Sequence, residues 1–134
     1  MIFVKNVGGT PNRAEESMGS ATDIWTAYRN GAFTLSPQPW LGYFMLVEDA
    51  PKSRAVRKRF PEPHFPVLDE FKNTSYIDRY EIMCTKLVRE RKYSAACLLA
   101  SRRDVGLEGQ YSQPAKELTM YNFLEGLVRH TTGV

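Results

Sequence analysis

Residues Trp40 to Asp49, WLGYFMLVED, form the most informative stretch, because eight apolar or small residues run together and stop at two acids. Pro37 and Pro39 precede the stretch, and Pro51 follows it. A short apolar run between helix breakers is typical of a strand buried on both faces, as in a parallel sheet covered by helices. A buried helix segment is the alternative, but about ten residues is short for a helix and the aromatic side chains favour a strand.

The bulk properties describe an ordinary globular chain. Its 134 residues suit a single domain, residues 1–134, and the net charge of +3 is too mild to argue for nucleic acid by itself. Cys84 and Cys97 lie in apolar patterns typical of buried, reduced thiols. No apolar run reaches the roughly 18–20 residues that span a bilayer, and there is no signal-peptide pattern. We therefore expect a cytoplasmic protein with no membrane segment.

Three other segments show helical periodicity. The first is predicted to begin at an Asn12 N-cap and to stop at Asn30-Gly31. The second and clearest covers residues 75–92, and the third is predicted to open with Pro114 in its first turn. The residues expected on the inner faces are Met18, Ala21, Trp25 and Tyr28 in the first, Tyr76, Tyr80, Met83 and Leu87 in the second, and Leu118, Tyr121, Leu124 and Val128 in the third.

Two more apolar stretches are predicted as strands. Tyr93 to Ser101 is one, although its alanines favour helix, and Met1 to Val4 could supply the end of another. The predicted order after that end is helix, strand, long loop, helix, strand, helix. A strand–helix–strand connection places its two strands parallel. The sequence therefore predicts an α/β fold with a parallel or mixed sheet flanked by helices.

Residues 50–73 form a loop with four prolines, which argues against a regular helix. Five basic side chains lie within eight residues of this loop. They are Lys52, Arg54, Arg57, Lys58 and Arg59. One interpretation is a solvated surface loop. The other is an arm that contacts phosphates, because clustered cations release counterions from DNA.

The titratable side chains form no recognisable catalytic set. His64 and His130 lie far apart in sequence and in different contexts, so we expect both to be structural or exposed. The adjacent acids Glu48 and Asp49 would point to opposite sides of a strand, and they do not make a ready metal cage. The residues alone therefore indicate an α/β domain with one basic loop.

Eight short motifs follow one another along the chain. They are Asn12-Arg13-Ala14-Glu15-Glu16, Gly19–Asp23, Trp25–Arg29, Pro39–Tyr43, Leu46–Asp49, Glu62–Phe65, Arg79–Ile82 and Lys86–Arg91. In this order they resemble the motifs of the XhoI-like (PaeR-type) type II restriction endonucleases, from about Asn12 to the last helix. The resemblance implies cleavage of a palindromic site in double-stranded DNA, a requirement for Mg²⁺, and action as a homodimer. It also implies the PD-(D/E)XK nuclease core, a mixed sheet flanked by helices.

The catalytic motif of that family is missing from this sequence. The resemblance places the family's catalytic Asp and Glu-x-Lys on strands before the first helix, where Ile2 and Val4 occupy the positions of the glutamate and the lysine. No carboxylate precedes Glu15, although metal-assisted phosphodiester hydrolysis needs carboxylates. We therefore assign no catalytic or metal-binding residue. We expect residues 1–134 to be the C-terminal part of such a domain, lacking the catalytic strands and inactive alone. The alternative is a non-catalytic DNA-binding or dimerisation remnant.

DNA contacts are predicted at the basic loop and at the start of the first helix. The predicted residues are Asn12, Arg13, Lys52, Arg54, Arg57, Lys58 and Arg59. Unpaired charges avoid the core, so the loop cations should be available to phosphates. At the helix start, backbone N–H groups add to the attraction for an anion. Such contacts would position a duplex rather than specify its bases.

Overall fold

The computed structural model describes residues 2–4, 10–33, 37–56 and 73–133, with only the backbone for residues 2–4 and 10–12. Three strands and four helices follow one another in these ranges. They are β1 (Ile2–Val4), α1 (Thr10–Arg29), β2 (Gly42–Glu48), α2 (Pro51–Arg54), α3 (Tyr76–Arg89), β3 (Ala95–Ser101) and α4 (Met120–Thr132). None of the helices in these ranges is long and apolar enough to cross a membrane.

The strands form a parallel sheet in the order β1-β2-β3, with β2 at its centre. Ile2 is the register partner of Met45, and Glu48 is the partner of Ser101. The predicted central strand and its parallel neighbour are therefore confirmed, as is the short strand near the N-terminus. The apolar run of β2 suits this position because both of its edges are hydrogen-bonded to other strands.

The two faces of the sheet are covered unequally. Tyr43, Met45 and Val47 point to one face and are buried with residues of α1 and α3 in the main core. Phe44 points to the other face, where its ring packs edge-to-face on Phe123 of α4 with the two centroids 5.8 Å apart. On this second face Phe44, Leu46 and Glu48 of β2 are only half-buried. The sheet thus has one deep core and one thinner one.

Helix α3 forms where the sequence predicts it, because its start and its inner face are both encoded locally. Ser75 caps the helix by accepting a hydrogen bond from the Asp78 amide at 3.1 Å, and Asp78 accepts one from the Ser75 amide at 2.8 Å. The predicted inner residues Tyr76, Tyr80, Met83 and Leu87 are all buried.

The structure confirms the predicted helix α1 and its end, but not its predicted start. The helix begins at Thr10 rather than after an Asn12 cap, because Pro11 is favoured in a first helical turn. Gly31, at φ 75°, follows the end of the helix as expected. Trp25 packs against the core and donates from Nε1 to the Lys92 carbonyl at 2.9 Å. Met18 is 42% exposed, so its predicted inward position is wrong.

The predicted start of α4 at Pro114 is also wrong. The helix begins at Met120 behind a Thr119 cap. The preceding segment follows the edge of β3 instead, where the Leu98 amide donates to the Leu118 carbonyl at 2.9 Å and Ala100 pairs with Ser112. Of the predicted inner stripe, Leu118 is buried outside the helix. The others are exposed: Tyr121 by 73%, Leu124 by 46% and Val128 by 57%.

The described start of the proline-rich loop forms a short helix, although its prolines argue against a regular helix. Pro51–Arg54 forms α2, with Pro51 at the first helical position, where a missing amide costs nothing. Ser53 holds this turn to the end of β2, since its hydroxyl donates to the Glu48 carbonyl at 2.9 Å and accepts from the Ala50 amide at 2.9 Å. The predictions for residues 57–72, including His64, lie outside the described residues.

Candidate nucleic-acid interface

The carboxyl ends of β2 and β3 meet at one edge of the sheet, which we call the carboxyl edge. Glu48 and Ser101 are register partners there, and the Asp49 amide donates to the Ser101 carbonyl at 2.8 Å. Helix α2 follows β2, and the loop of residues 102–111 follows β3. In open α/β sheets, ligands bind outside the carboxyl ends of the strands. The topology therefore brings two segments that carry basic side chains to the place where a ligand site is expected.

Asp49 and Arg54 form a two-pronged ion pair at this edge. Both carboxylate oxygens of Asp49 accept from the Arg54 guanidinium, one from Nε and the other from Nη2 at 2.8 Å. The hydrogen bond from Arg54 holds the pKa of Asp49 below its usual value, and nearby Arg102 adds to this effect. Such bidentate pairs fix the guanidinium plane. Arg54 is therefore a structural link between α2 and the end of β2.

Arg102 and Arg103 are held much more loosely. Arg103 Nη2 lies 3.4 Å from Glu48 Oε2, and Arg102 Nε lies 3.6 Å from Asp104 Oδ1. Their side chains are 66% and 60% exposed. Single, long ion pairs in water contribute little, commonly about 0–1 kcal/mol. Both guanidinium groups can thus exchange these partners for another anion at small cost.

A groove of about 480 Å³ runs beside these arginines. Leu46 and Leu107 supply apolar surface, while Arg102, Arg103 and Glu48 supply charge. Lys52 lies exposed on α2 at the same edge of the sheet. The edge therefore offers cations that could meet phosphate oxygens beside apolar surface that could meet sugar or base.

The structure brings together only some of the predicted DNA-binding residues. Lys52 and Arg54 lie at the carboxyl edge, whereas Arg13 lies on α1 and donates to Glu16 Oε2 at 2.7 Å. Burial raises the pKa of Tyr43, at the start of β2, and the nearby Arg13 guanidinium opposes that effect. Tyr43 and Glu48 are five residues apart, or about 16 Å along a strand. Arg13 therefore belongs to a different part of the surface from Lys52.

The other predicted contacts cannot be placed at the edge. The Asn12 side chain and residues Arg57, Lys58 and Arg59 lie outside the described part of the structure. The prediction omits Arg102 and Arg103, which the structure places at the carboxyl edge. Their signal in the sequence is an arginine pair directly after the second predicted parallel strand.

Metal-ligating side chains do not converge in the described ranges, where no group of three or more His, Cys, Asp or Glu residues could hold an ion. The cysteines are free and buried, as predicted. Burial raises the pKa of Cys84 to about 12 and that of Cys97 to about 11. Both thiols are therefore protonated at neutral pH and poor nucleophiles.

The chain belongs to the XhoI restriction endonuclease family. The family model described as "Restriction endonuclease XhoI" matches residues 4–113, which include the carboxyl edge and the loop after β3. Helix α4 lies beyond the matched residues. No solved structure matches the chain.

The individual relatives are longer than this chain. It is 56% identical over 119 residues to the type II restriction enzyme BstVI of Geobacillus stearothermophilus, an alignment that covers 89% of this chain and 53% of that enzyme. It is 50% identical over 78 residues to the type II restriction enzyme XhoI of Xanthomonas vasicola, covering 58% of this chain and 31% of the relative. The chain thus spans about half the length of BstVI.

Proposed function

We propose that this chain is the C-terminal part of a type II restriction endonuclease, a site-specific nuclease that cleaves double-stranded DNA with Mg²⁺ in the cytoplasm. The observation that carries the proposal is the 56% identity to BstVI across 89% of the chain. An alignment of 119 of the 134 residues is long enough to include both strands that end at the carboxyl edge. The arginines and the lysine of that edge are cations that could contact the phosphates of a duplex.

We also propose that residues 1–134 are a partial PD-(D/E)XK domain. Three parallel strands between α1 and α3 on one face and α4 on the other are compatible with part of such a core. Within the described residues, no acidic cluster suited to Mg²⁺ is present. The ligands for Mg²⁺ would therefore come from residues outside the described ranges or from the rest of the enzyme, and the metal would supply the activated water.

The proposed DNA contacts divide into two groups. Lys52 and Arg54 would approach phosphates at the carboxyl edge, with Arg57, Lys58 and Arg59 continuing the same stretch of chain. Arg54 acts there chiefly by fixing α2, because Asp49 already occupies two of its donors. Asn12 and Arg13 would meet the backbone of the duplex elsewhere, since Arg13 lies near the start of β2.

A homodimer is part of the same proposal, because a two-fold symmetric protein matches a palindromic site. The exposed apolar side chains of α4 support it, since they leave a stripe that another protein surface could cover. Sedimentation equilibrium of the purified chain would measure the association directly. A chain that stays monomeric at high concentration would contradict this part of the proposal.

The deciding experiment combines DNA binding and cleavage by the purified chain. We expect binding to a mixed-sequence duplex at low salt and no cleavage of plasmid DNA with Mg²⁺. Absence of binding would contradict the assignment of DNA contacts to this chain. Mg²⁺-dependent nicking that is lost in Glu15→Ala would place the active site within this chain and would contradict the proposal that its ligands lie elsewhere.

The alternative is a non-catalytic DNA-binding or dimerisation remnant, which the lack of a carboxylate before Glu15 favours. Complementation separates the two. We expect cleavage when this chain is refolded with the part of BstVI that it does not cover, because the chain is 56% identical to the part of BstVI that would then be missing. Binding without cleavage in that mixture would favour the remnant.

A further inference from the structure

The loop after β3, residues 102–111, is closed on itself and held at both ends. Ser101 Oγ donates to the Gln110 carbonyl at 2.7 Å, and Ser112 exchanges backbone hydrogen bonds of 2.7 and 2.9 Å with Ala100. A 3₁₀ turn, Gly106–Glu108, forms the tip. Gly109 closes this turn at φ 77°, a conformation that favours glycine. The loop therefore presents its tip in a defined position.

Leu107 occupies that tip with its side chain entirely in solvent, at a relative exposure of 103%. The turn packs closely against the strand end, since a Cβ added to Gly106 would lie 3.2 Å from Ser101 Oγ. One exposed leucine on a surface is ordinary. This one lies on a braced loop, at the rim of the groove that Arg102 and Arg103 line.

We propose that Leu107 is an apolar wedge that enters the minor groove of duplex DNA, while Arg102 and Arg103 contact the flanking phosphates. The inference rests on the proposed function and adds the residues by which the chain would deform or grip its duplex. Apolar side chains inserted from the minor groove unstack a base step, and the gain is additional contact surface. A loop that is ordered beforehand loses little entropy when it binds.

The loop has no net charge, so its contribution to DNA affinity should depend on Leu107 rather than on electrostatic attraction. Asp104 and Glu108 balance Arg102 and Arg103, so the loop by itself attracts a phosphate backbone only weakly. Affinity from this loop must then depend on close fit rather than on long-range attraction. Removing the wedge should therefore weaken binding without changing the number of phosphates neutralised. Removing the arginines should change that number.

The test is a salt titration of affinity for a mixed-sequence duplex with the full chain and three variants. Leu107→Ala should weaken binding roughly tenfold, the value of burying one such side chain, and should leave the log–log salt slope unchanged. Arg102→Ala/Arg103→Ala should make that slope shallower by roughly two units, at about 0.9 per phosphate. The matched control Arg89→Ala/Arg129→Ala removes the same charge away from the edge and should have a smaller effect on the slope.

A second measurement reports insertion itself. A duplex that carries 2-aminopurine should brighten when the parent chain unstacks the base, and Leu107→Ala should abolish the increase. Equal affinity and equal fluorescence for the parent and Leu107→Ala would overturn the wedge while leaving the proposed function intact. A parent chain that binds no duplex at low salt would overturn both. Because Leu107 makes no buried contact, its variant should melt like the parent.

Discussion

Helices α3 and α4 have similar lengths and similar apolar patterns, yet the structure uses them differently. Helix α3 buries six residues, from Tyr76 to Leu87, against the sheet and α1. Helix α4 has no fully buried residue. Its main anchor is Phe123, whose ring meets Trp40 at a centroid distance of 5.3 Å as well as Phe44. An apolar stripe in a sequence therefore predicts a helix face but not what covers it.

The difference follows from the elements that surround each helix. Helix α3 connects two adjacent parallel strands, so the chain itself returns it to the sheet. Helix α4 follows β3 after a segment that pairs with the strand edge, and Tyr121, Leu124 and Val128 are left exposed on a face beside the one that docks. Stability should thus depend strongly on α3 and weakly on the outer face of α4.

The largest expected contrast is between two leucines. Leu87→Ala on α3 should destabilise the chain by about 2–5 kcal/mol, because a buried leucine leaves a cavity. Leu124→Ala on α4 should stay within about 0.5 kcal/mol at concentrations low enough for the chain to be monomeric, as expected for a surface position. Urea unfolding of both variants gives the free energies of unfolding. A similar loss for both would mean that the outer face of α4 is covered in solution.

Gly42 and Gly126 provide the next contrast, at the place where α4 docks. A Cβ on Gly42 would lie 2.5 Å from the Trp40 ring and 2.6 Å from Phe123, so Gly42→Ala should cost about 1–3 kcal/mol through overpacking. On Gly126 it would lie 3.8 Å from Trp40, an ordinary contact, and alanine should stabilise the helix by up to about 1 kcal/mol. Thermal melts should move in opposite directions. Equal shifts would contradict the Trp40–Phe123 docking geometry.

The helix caps should show a smaller difference of the same kind. Ser75 is buried and takes part in a reciprocal capping box with Asp78, whereas Thr119 makes a single capping bond to Asn122 at 3.2 Å. Ser75→Ala should cost about 1 kcal/mol of global stability. Thr119→Ala should mainly increase hydrogen exchange within α4. Global destabilisation by Thr119→Ala that exceeds that of Ser75→Ala would show that α4 is the more tightly coupled helix.

The predictable part of the fold is the part with local signals. Three confirmed predictions rest on neighbouring residues alone. They are the apolar run before Glu48, the helical periodicity of α3 and the helix stop at Gly31. The start of α4 is not encoded in this way. Pro114 is a good first-turn residue, but the backbone near Ser112 finds hydrogen-bond partners on β3, which are distant in sequence.

In the candidate site, too, the properties set by neighbouring residues are predictable, whereas those set by the tertiary structure are not. The basic run predicts correctly that Lys52 is exposed, because charge and proline content are local properties. The proximity of Arg102 to Asp49, by which Arg102 lowers the pKa of Asp49, depends on the register of two strands, which periodicity does not specify. The separation of Arg13 from this edge depends on where α1 crosses the sheet. A sequence can therefore nominate basic residues, but the sheet topology decides which of them share a surface.

The smallest expected effect is a pH-dependent one on α3. Burial, together with Asp78 and Glu117, raises the pKa of Glu81 above its ordinary value. The folded state then holds the Glu81 proton more tightly than the unfolded state does. Stability consequently falls as the pH rises from the ordinary pKa of a glutamate through the raised one.

Glu81→Gln should therefore stabilise the chain at neutral pH and have little effect near about pH 4, where the carboxyl group is already largely protonated. Glu125→Gln on α4 is the matched control. It removes an exposed ion pair with Arg129 at 2.8 Å, so it should destabilise slightly at neutral pH. Urea titrations of the parent and both variants at the two pH values give four differences in unfolding free energy. A benefit of Glu81→Gln that is equal at both pH values would show that its carboxylate is not the source of the pH dependence, and that packing of the side chain explains the change instead.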